Sequence, residues 1–134
     1  MKVALMPNPH NRADLFEDAG IEVLQGPVRS TQDMIELLRI SDGALVNIQP
    51  LTSREVLEAC PKLKVVSRMG VGVDSIDLDA ATELGILACN VPGVNTVEVA
   101  DHAMSLLLAL TRRVVDCANA TKEGKWGRGL SGVP

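Results

Sequence analysis

The segment Gly70-Val71-Gly72 consists of two glycines around one small apolar residue, and its spacing is the feature of this sequence that most directly suggests ligand binding. Glycine adopts backbone conformations closed to other residues, so this loop can turn sharply and leave its N–H groups without partners. Successive bare N–H groups form a concave site that suits an anion such as a carboxylate or a phosphate. Arg68 lies just before the loop and adds positive charge. The loop therefore predicts an anion-binding site.

The same glycines fit two other interpretations. A Gly-x-Gly after a strand often serves only as a tight connection, and this alternative stays open. A dinucleotide fingerprint needs a third glycine three positions further on, with a helix directly behind it. Position 75 is Ser, and Asp74 to Asp77 has the pattern of a turn and a helix cap. We therefore reject a dinucleotide-binding role for this loop.

Strand and helix patterns alternate along the chain and place the glycine loop at the end of a strand. Strands are predicted at Lys2–Met6, Ile21–Leu24, Ala44–Asn47, Leu63–Ser67 and Ile86–Asn90. Helices are predicted from Ala13 to Ala19, after a cap at Ser30 or Thr31, after a cap at Thr52 and after a cap at Asp77. This alternation predicts an α/β fold with a doubly wound, five-stranded parallel sheet and helices on both faces. Ligands of such sheets bind at the carboxyl ends of the strands, where the loop lies.

A longer helical pattern runs from Val97 to Cys117, with Thr96 as its predicted cap. The run Leu106–Leu110 makes this C-terminal helix apolar over a wide arc. A helix of this kind must be buried on more than one side. We therefore expect it either to fold back onto the sheet or to pair with a second copy of the chain.

Composition excludes several classes of function. The chain has 134 residues, enough for one ordinary domain, and a net charge of −4 without a long basic run, which argues against nucleic-acid binding. Cys60, Cys89 and Cys117 are too far apart for a disulfide framework or a zinc pattern, so we expect reduced thiols, a cytoplasmic protein and no metal site. No apolar run approaches the roughly 20 residues of a membrane span, and the N-terminus does not have the pattern of a signal peptide.

The residues from Lys62 to Arg113 resemble the D-isomer-specific 2-hydroxyacid dehydrogenases, especially members similar to phosphoglycerate dehydrogenase and glyoxylate reductase. The matching segment is RMGVGVDSIDLDAATELGILACNVPGVNTVEVADHAMSLLLALTRR. The resemblance implies that residues 1–96 form a flavodoxin-like domain that binds a small 2-hydroxy or 2-keto acid. It also implies that residues 97–134 begin with a helix between domains, which forms a homodimer through residues 97–117. The Rossmann domain that binds NAD or NADP, with its Gly-x-Gly-x-x-Gly spacing, is expected to lie outside this sequence.

The resemblance assigns substrate-binding roles to individual residues. In the family, backbone N–H groups at the positions of Val71 and Gly72 hold the substrate carboxylate, which agrees with the anion site above. Asn95 matches the position where formate dehydrogenases orient the substrate with an amide, although capping of the next helix is an alternative. Asn47 and Gln49 match a loop where relatives place polar contacts to the substrate, and simple solvation is the alternative for both.

The resemblance also bears on cofactor and catalysis. Val71 and Val99 fall where relatives contact the cofactor, Val99 at its nicotinamide end. Neither His10 nor His102 matches the catalytic histidine of the family, whose catalytic arginine and glutamate are also expected outside this sequence. We therefore expect no catalytic residue, no bound cofactor and no dehydrogenase activity in this chain alone. The alternative is a flavodoxin-like module without catalysis, which binds a small carboxylate or acts as a dimeric interaction module.

Overall fold

The computed structural model describes residues 1–125. The strands are β1 Lys2–Leu5, β2 Glu22–Gln25, β3 Gly43–Val46, β4 Val65–Arg68 and β5 Leu87–Cys89. The helices are α1 Ala13–Asp18, α2 Thr31–Leu38, α3 Arg54–Glu58, α4 Leu78–Glu83, α5 Thr96–Thr111 and α6 Val114–Lys122. The chain divides into two compact units, and the boundary falls between Val94 and Asn95. The first unit holds all the strands with α1 to α4, and the second holds α5 and α6.

The five strands form one parallel sheet in the order β2-β1-β3-β4-β5. From β1 the sheet continues to β2 on one side, and from β3 it continues to β4 and β5 on the other side. This is the arrangement of a doubly wound sheet, with its switch point between β1 and β3. The predicted α/β fold with a flavodoxin-like, five-stranded parallel sheet is confirmed.

The main core lies between one face of the sheet and the helices α2, α3 and α4. Small residues in register across the strands, Ala4, Ala44, Val66 and Ala88, let these helices approach closely. The helices contribute Met34, Leu38, Val56, Leu57, Ala80 and Ala81. Phe16 of α1 lies beside Val3, Gly43 and Val65. These three strand positions alternate with Ala4, Ala44 and Val66 of the core, so they belong to the opposite face of the sheet. Helix α1 therefore lies on this second face, which remains partly exposed, because Val65 is half-buried and 62% of the surface of Leu87 is accessible.

Two helix starts agree with the predicted caps. Ser30 caps α2 with a complete capping box, in which its hydroxyl accepts from the Asp33 N–H and the Asp33 carboxylate accepts from the Ser30 N–H. Ser30, rather than Thr31, is therefore the cap of α2. Asp77 caps α4, where its Oδ1 accepts from the Ala80 N–H at 2.8 Å.

The predicted cap of α3 at Thr52 is wrong. The Thr52 N–H donates to the Ser75 carbonyl at 2.8 Å, and the Thr52 carbonyl accepts from the Asp77 N–H at 3.0 Å. Because this bridge to a distant loop holds Thr52 in extended conformation, the helix begins one residue later. Ser53 occupies the cap position and makes no capping hydrogen bond with its side chain.

The long C-terminal helix is two helices rather than the single one predicted from Val97 to Cys117. Arg113 adopts a left-handed conformation with φ of 50°, which ends the i to i−4 hydrogen-bond ladder of α5. The cap position of α5 belongs to Asn95 rather than to Thr96. Among residues 1–125, no helix combines the length and apolar character needed to cross a bilayer.

Candidate anion-binding site

The glycine loop follows β4, whose pairing with β3 fixes where the loop begins. Val66 is fully buried in the core, and Arg68 is the last strand residue, in register with Val46. The Gly70 N–H donates to the Arg68 carbonyl at 2.9 Å, which closes a tight turn around Met69. The chain therefore reverses direction at the carboxyl edge of the sheet, as predicted.

The carbonyl groups of the loop are held by the segment that follows β5. The Gly70 carbonyl accepts from the Val91 N–H at 3.0 Å, and the Val71 carbonyl accepts from the Asn90 Nδ2 at 2.7 Å. In a trans peptide the N–H points away from the carbonyl that precedes it. The N–H groups of Val71 and Gly72 therefore point away from the Asn90–Val91 segment.

These two N–H groups have no acceptor among residues 1–125. Val71 is exposed, with 42% of its surface accessible, and Gly72 is half-buried. Two adjacent backbone donors without partners, at a surface turn, form the kind of concave site that binds anions.

The Arg68 guanidinium lies over the two glycines. A Cβ placed on Gly70 would run into the guanidinium, and one placed on Gly72 would lie 3.9 Å from Nη1. Within the part of the chain that the structure describes, this guanidinium forms no hydrogen bond and no ion pair. The Asp74 Oδ2 lies 3.1 Å from the Cβ position of Gly72, so a carboxylate borders the site on one side. The loop thus combines bare backbone donors with an unpaired cation.

Asn47 and Gln49 follow β3, the strand next to β4. The Asn47 Nδ2 donates to the Pro7 carbonyl at 2.9 Å and so ties the loop after β3 to the loop after β1. Gln49 is exposed, and its side chain makes no hydrogen bond within residues 1–125. Both residues therefore lie at the carboxyl edge of the sheet, where the glycine loop also lies.

Asn95 and Val99 belong to the second unit, where Asn95 is the cap residue of α5 and Val99 lies in its first turn. The Asn95 carbonyl accepts from the Val99 N–H at 3.0 Å, but the Asn95 amide makes no capping hydrogen bond. Val99 is exposed. Capping by the side chain, the alternative role for Asn95, is therefore not used.

Cys60 and Glu83 have shifted pKa values and lie outside the glycine loop. Cys60 is fully buried, and burial raises the pKa of its thiol to about 11, so the thiol stays protonated and unreactive at neutral pH. The Arg54 guanidinium donates to the Glu83 carboxylate at 2.7 Å, which lowers the pKa of Glu83 and ties α3 to α4. Both features are structural.

Comparison with known proteins identifies the family. Residues 3–130 match the sequence profile described as D-isomer specific 2-hydroxyacid dehydrogenase, catalytic domain. The chain belongs to this family. The D-3-phosphoglycerate dehydrogenase of Archaeoglobus fulgidus is 37% identical over 129 residues, which cover 96% of this chain and 24% of that enzyme. The resemblance inferred from residues 62–113 is confirmed.

Solved structures agree with this assignment. The TT0316 protein of Thermus thermophilus superposes with a TM-score of 0.82 at 31% identity, covering 99% of this chain and 45% of that one. The NAD-dependent formate dehydrogenase of Staphylococcus aureus, in complex with NAD, gives a TM-score of 0.77 at 29% identity, covering 95% and 43%. The chain thus spans about a quarter of the first curated relative and less than half of these solved chains.

The expectation that Gly-x-Gly-x-x-Gly spacing lies outside this sequence is wrong, because the spacing occurs once, at Gly127, Gly129 and Gly132. These glycines lie outside the described residues. A dinucleotide fingerprint directly follows a strand. The element before this spacing is α6, which ends at Lys122, so the spacing lacks that context.

Proposed function

We propose that this chain is the part of a D-2-hydroxyacid dehydrogenase that holds the carboxylate of a small 2-hydroxy or 2-keto acid. The observation that carries the proposal is the pair of bare N–H groups of Val71 and Gly72, which point away from the segment that holds their loop. Hydrogen bonds from a neutral donor to a charged group contribute about 1.5–3 kcal/mol each. Two such bonds give the loop a clear preference for an anion.

Arg68 strengthens the same site. An ionised carboxylate offers about four lone-pair positions, so it can accept from two backbone N–H groups and from a guanidinium at once. The planar guanidinium also fixes the orientation of the carboxylate plane. Asn47, Gln49 and Asn95 are proposed to contact the remainder of the substrate.

We propose different roles for the cofactor and for the residues of this chain. The nicotinamide cofactor, NAD or NADP, supplies the hydride chemistry in this family. The residues of this chain bind and orient the acid, and the exposed side chains of Val71 and Val99 offer apolar surface to the cofactor. The strand-end loop lacks the third glycine of a pyrophosphate site, so we propose that this chain alone neither binds the cofactor nor turns over substrate. A cytoplasmic location is part of the proposal.

Calorimetry of the purified chain tests the carboxylate site. Hydroxypyruvate is expected to bind, and 1,3-dihydroxyacetone, in which a hydroxymethyl group replaces the carboxylate, is not. Gly72→Pro removes one N–H donor and is expected to weaken hydroxypyruvate binding by about tenfold, the equivalent of one lost charge-assisted bond. Gly72→Ala, which keeps the N–H, is the matched control. Equal affinities for the two compounds would refute the proposal, and NADH consumption by the chain with hydroxypyruvate would refute its inactivity.

A second proposal concerns self-association through residues 97–117. The apolar side chains of α5 are exposed, with Val97 at 67% and Leu110 at 76% of their surface accessible. Soluble monomers rarely expose contiguous apolar surface of this kind. We propose that this surface pairs with a second copy of the chain to form a homodimer.

A further inference from the structure

The segment that follows β5 holds the glycine loop by two hydrogen bonds of different kinds. The Val91 N–H donates to the Gly70 carbonyl at 3.0 Å, and this bond joins two backbone groups. The Asn90 Nδ2 donates to the Val71 carbonyl at 2.7 Å, and this bond comes from a side chain. The residue after Val91 is Pro92, which has no N–H to donate. The first bond is available to any residue except proline, whereas the second depends on the residue type at position 90.

Strand pairing places the donor side chain beside the loop. Strands β4 and β5 are parallel and in register, with Ser67 opposite Cys89. The chain leaves both strands at the carboxyl edge of the sheet, so Asn90, the first residue after β5, lies next to the residues that follow β4. Asn90 is exposed and has no part in the core. Its amide therefore acts on the loop and not on the packing of the sheet.

Each of the two bonds fixes the plane of one peptide. A trans peptide carries its C=O and its N–H on opposite sides. The bond from Val91 orients the peptide that ends in the Val71 N–H. The bond from Asn90 orients the next peptide, which ends in the Gly72 N–H. The two donors of the anion site are thus set separately, one by a backbone group and one by the Asn90 amide.

The peptide between Val71 and Gly72 needs this restraint because glycine permits it to flip. A flip of a peptide plane changes φ of the residue that follows it, and glycine accepts either sign of φ at little cost. After a flip, the Val71 carbonyl oxygen would face the anion in place of the Gly72 N–H and would repel it. A hydrogen bond to the Val71 carbonyl therefore selects the conformation that can bind.

We propose that Asn90 is a positioning residue for substrate binding. Its amide holds the Val71 carbonyl and so keeps the Gly72 N–H turned toward the substrate carboxylate. Asn90 acts through this peptide and not by touching the substrate. The inference rests on the proposed function of the glycine loop, and it adds that the two glycines and Arg68 bind the carboxylate fully only with an amide at position 90.

The variant Asn90→Ala tests this role, because it removes the donor without adding a charge that would itself repel an anion. In the 15N-labelled chain without ligand, we expect the heteronuclear NOE of Gly72 to fall. The NOE of Val71 is expected to persist, because the Val91 N–H still holds its peptide. By calorimetry, hydroxypyruvate is expected to bind the variant about fivefold more weakly, the usual effect of one lost hydrogen bond.

The matched control is Asn11→Ala, because the Asn11 Nδ2 donates to the Met6 carbonyl at 2.8 Å in the loop after β1. This variant loses the same kind of bond and is expected to bind hydroxypyruvate as the unchanged chain does. If the unchanged chain does not bind hydroxypyruvate, the proposed function fails and the role of Asn90 fails with it. If the unchanged chain binds but Asn90→Ala binds equally well, or loses order equally at Val71 and Gly72, only the positioning role is overturned.

Discussion

At the scale of single residues, the anion site depends on the absence of side chains at Gly70 and Gly72. The Arg68 guanidinium occupies space that a side chain at Gly70 would fill. The N–H groups of Val71 and Gly72 stay bare because the carbonyls of their loop are already held. The sequence analysis predicted this arrangement, since the glycine spacing and the neighbouring arginine are local signals.

A substitution at Gly70 tests the arrangement. Gly70→Ala is expected to displace the guanidinium, strain a backbone whose φ is +158°, and weaken hydroxypyruvate binding by about tenfold, as for loss of one charge-assisted interaction. Gly26→Ala is the control, because no atom lies within 4 Å of the added Cβ and the backbone there is not strained. Calorimetry on both variants gives the comparison. Similar affinities in the two variants would show that the guanidinium has no part in binding.

One other residue-scale feature had no reliable signal in the sequence. Thr52 has the residue type of a helix cap, but its backbone is engaged by a loop more than twenty residues away along the chain. Such pairing depends on tertiary contacts, which residue type does not encode.

At the scale of elements, local chemistry decided where α2 and α4 begin. The sequence predicted both starts, at Ser30 and Asp77, and both depend on side-chain caps. The sequence analysis did not predict the break between α5 and α6. Arg113 adopts a left-handed conformation there, and no glycine or proline in the sequence indicates it.

Two N-cap serines provide a matched test at this scale. The Ser30 hydroxyl accepts from the Asp33 N–H, whereas the Ser53 side chain makes no capping bond. Ser30→Ala is expected to lower the free energy of unfolding by about 1 kcal/mol, and Ser53→Ala by a few tenths at most. Urea denaturation followed by circular dichroism measures both. Equal losses would mean that the capping box does not stabilise α2.

At the scale of the whole molecule, the apolar surface of α5 requires an explanation. We expect the chain to run as a homodimer in light scattering, because exposed leucine and valine side chains gain free energy when they are removed from water. Leu110→Asp places a charge on this surface and is expected to shift the population to monomer. Leu15→Asp, at an exposed position on α1, is the control. A monomer at every concentration of the unchanged chain would contradict the proposed pairing.

The central claim is that the N–H groups of Val71 and Gly72 bind the carboxylate of a 2-hydroxy or 2-keto acid. Titration of the 15N-labelled chain with hydroxypyruvate tests it most directly, because each N–H gives its own signal. The account predicts saturable shifts that are largest at Val71 and Gly72 and absent with 1,3-dihydroxyacetone. Binding of hydroxypyruvate that leaves these two signals unmoved would contradict it.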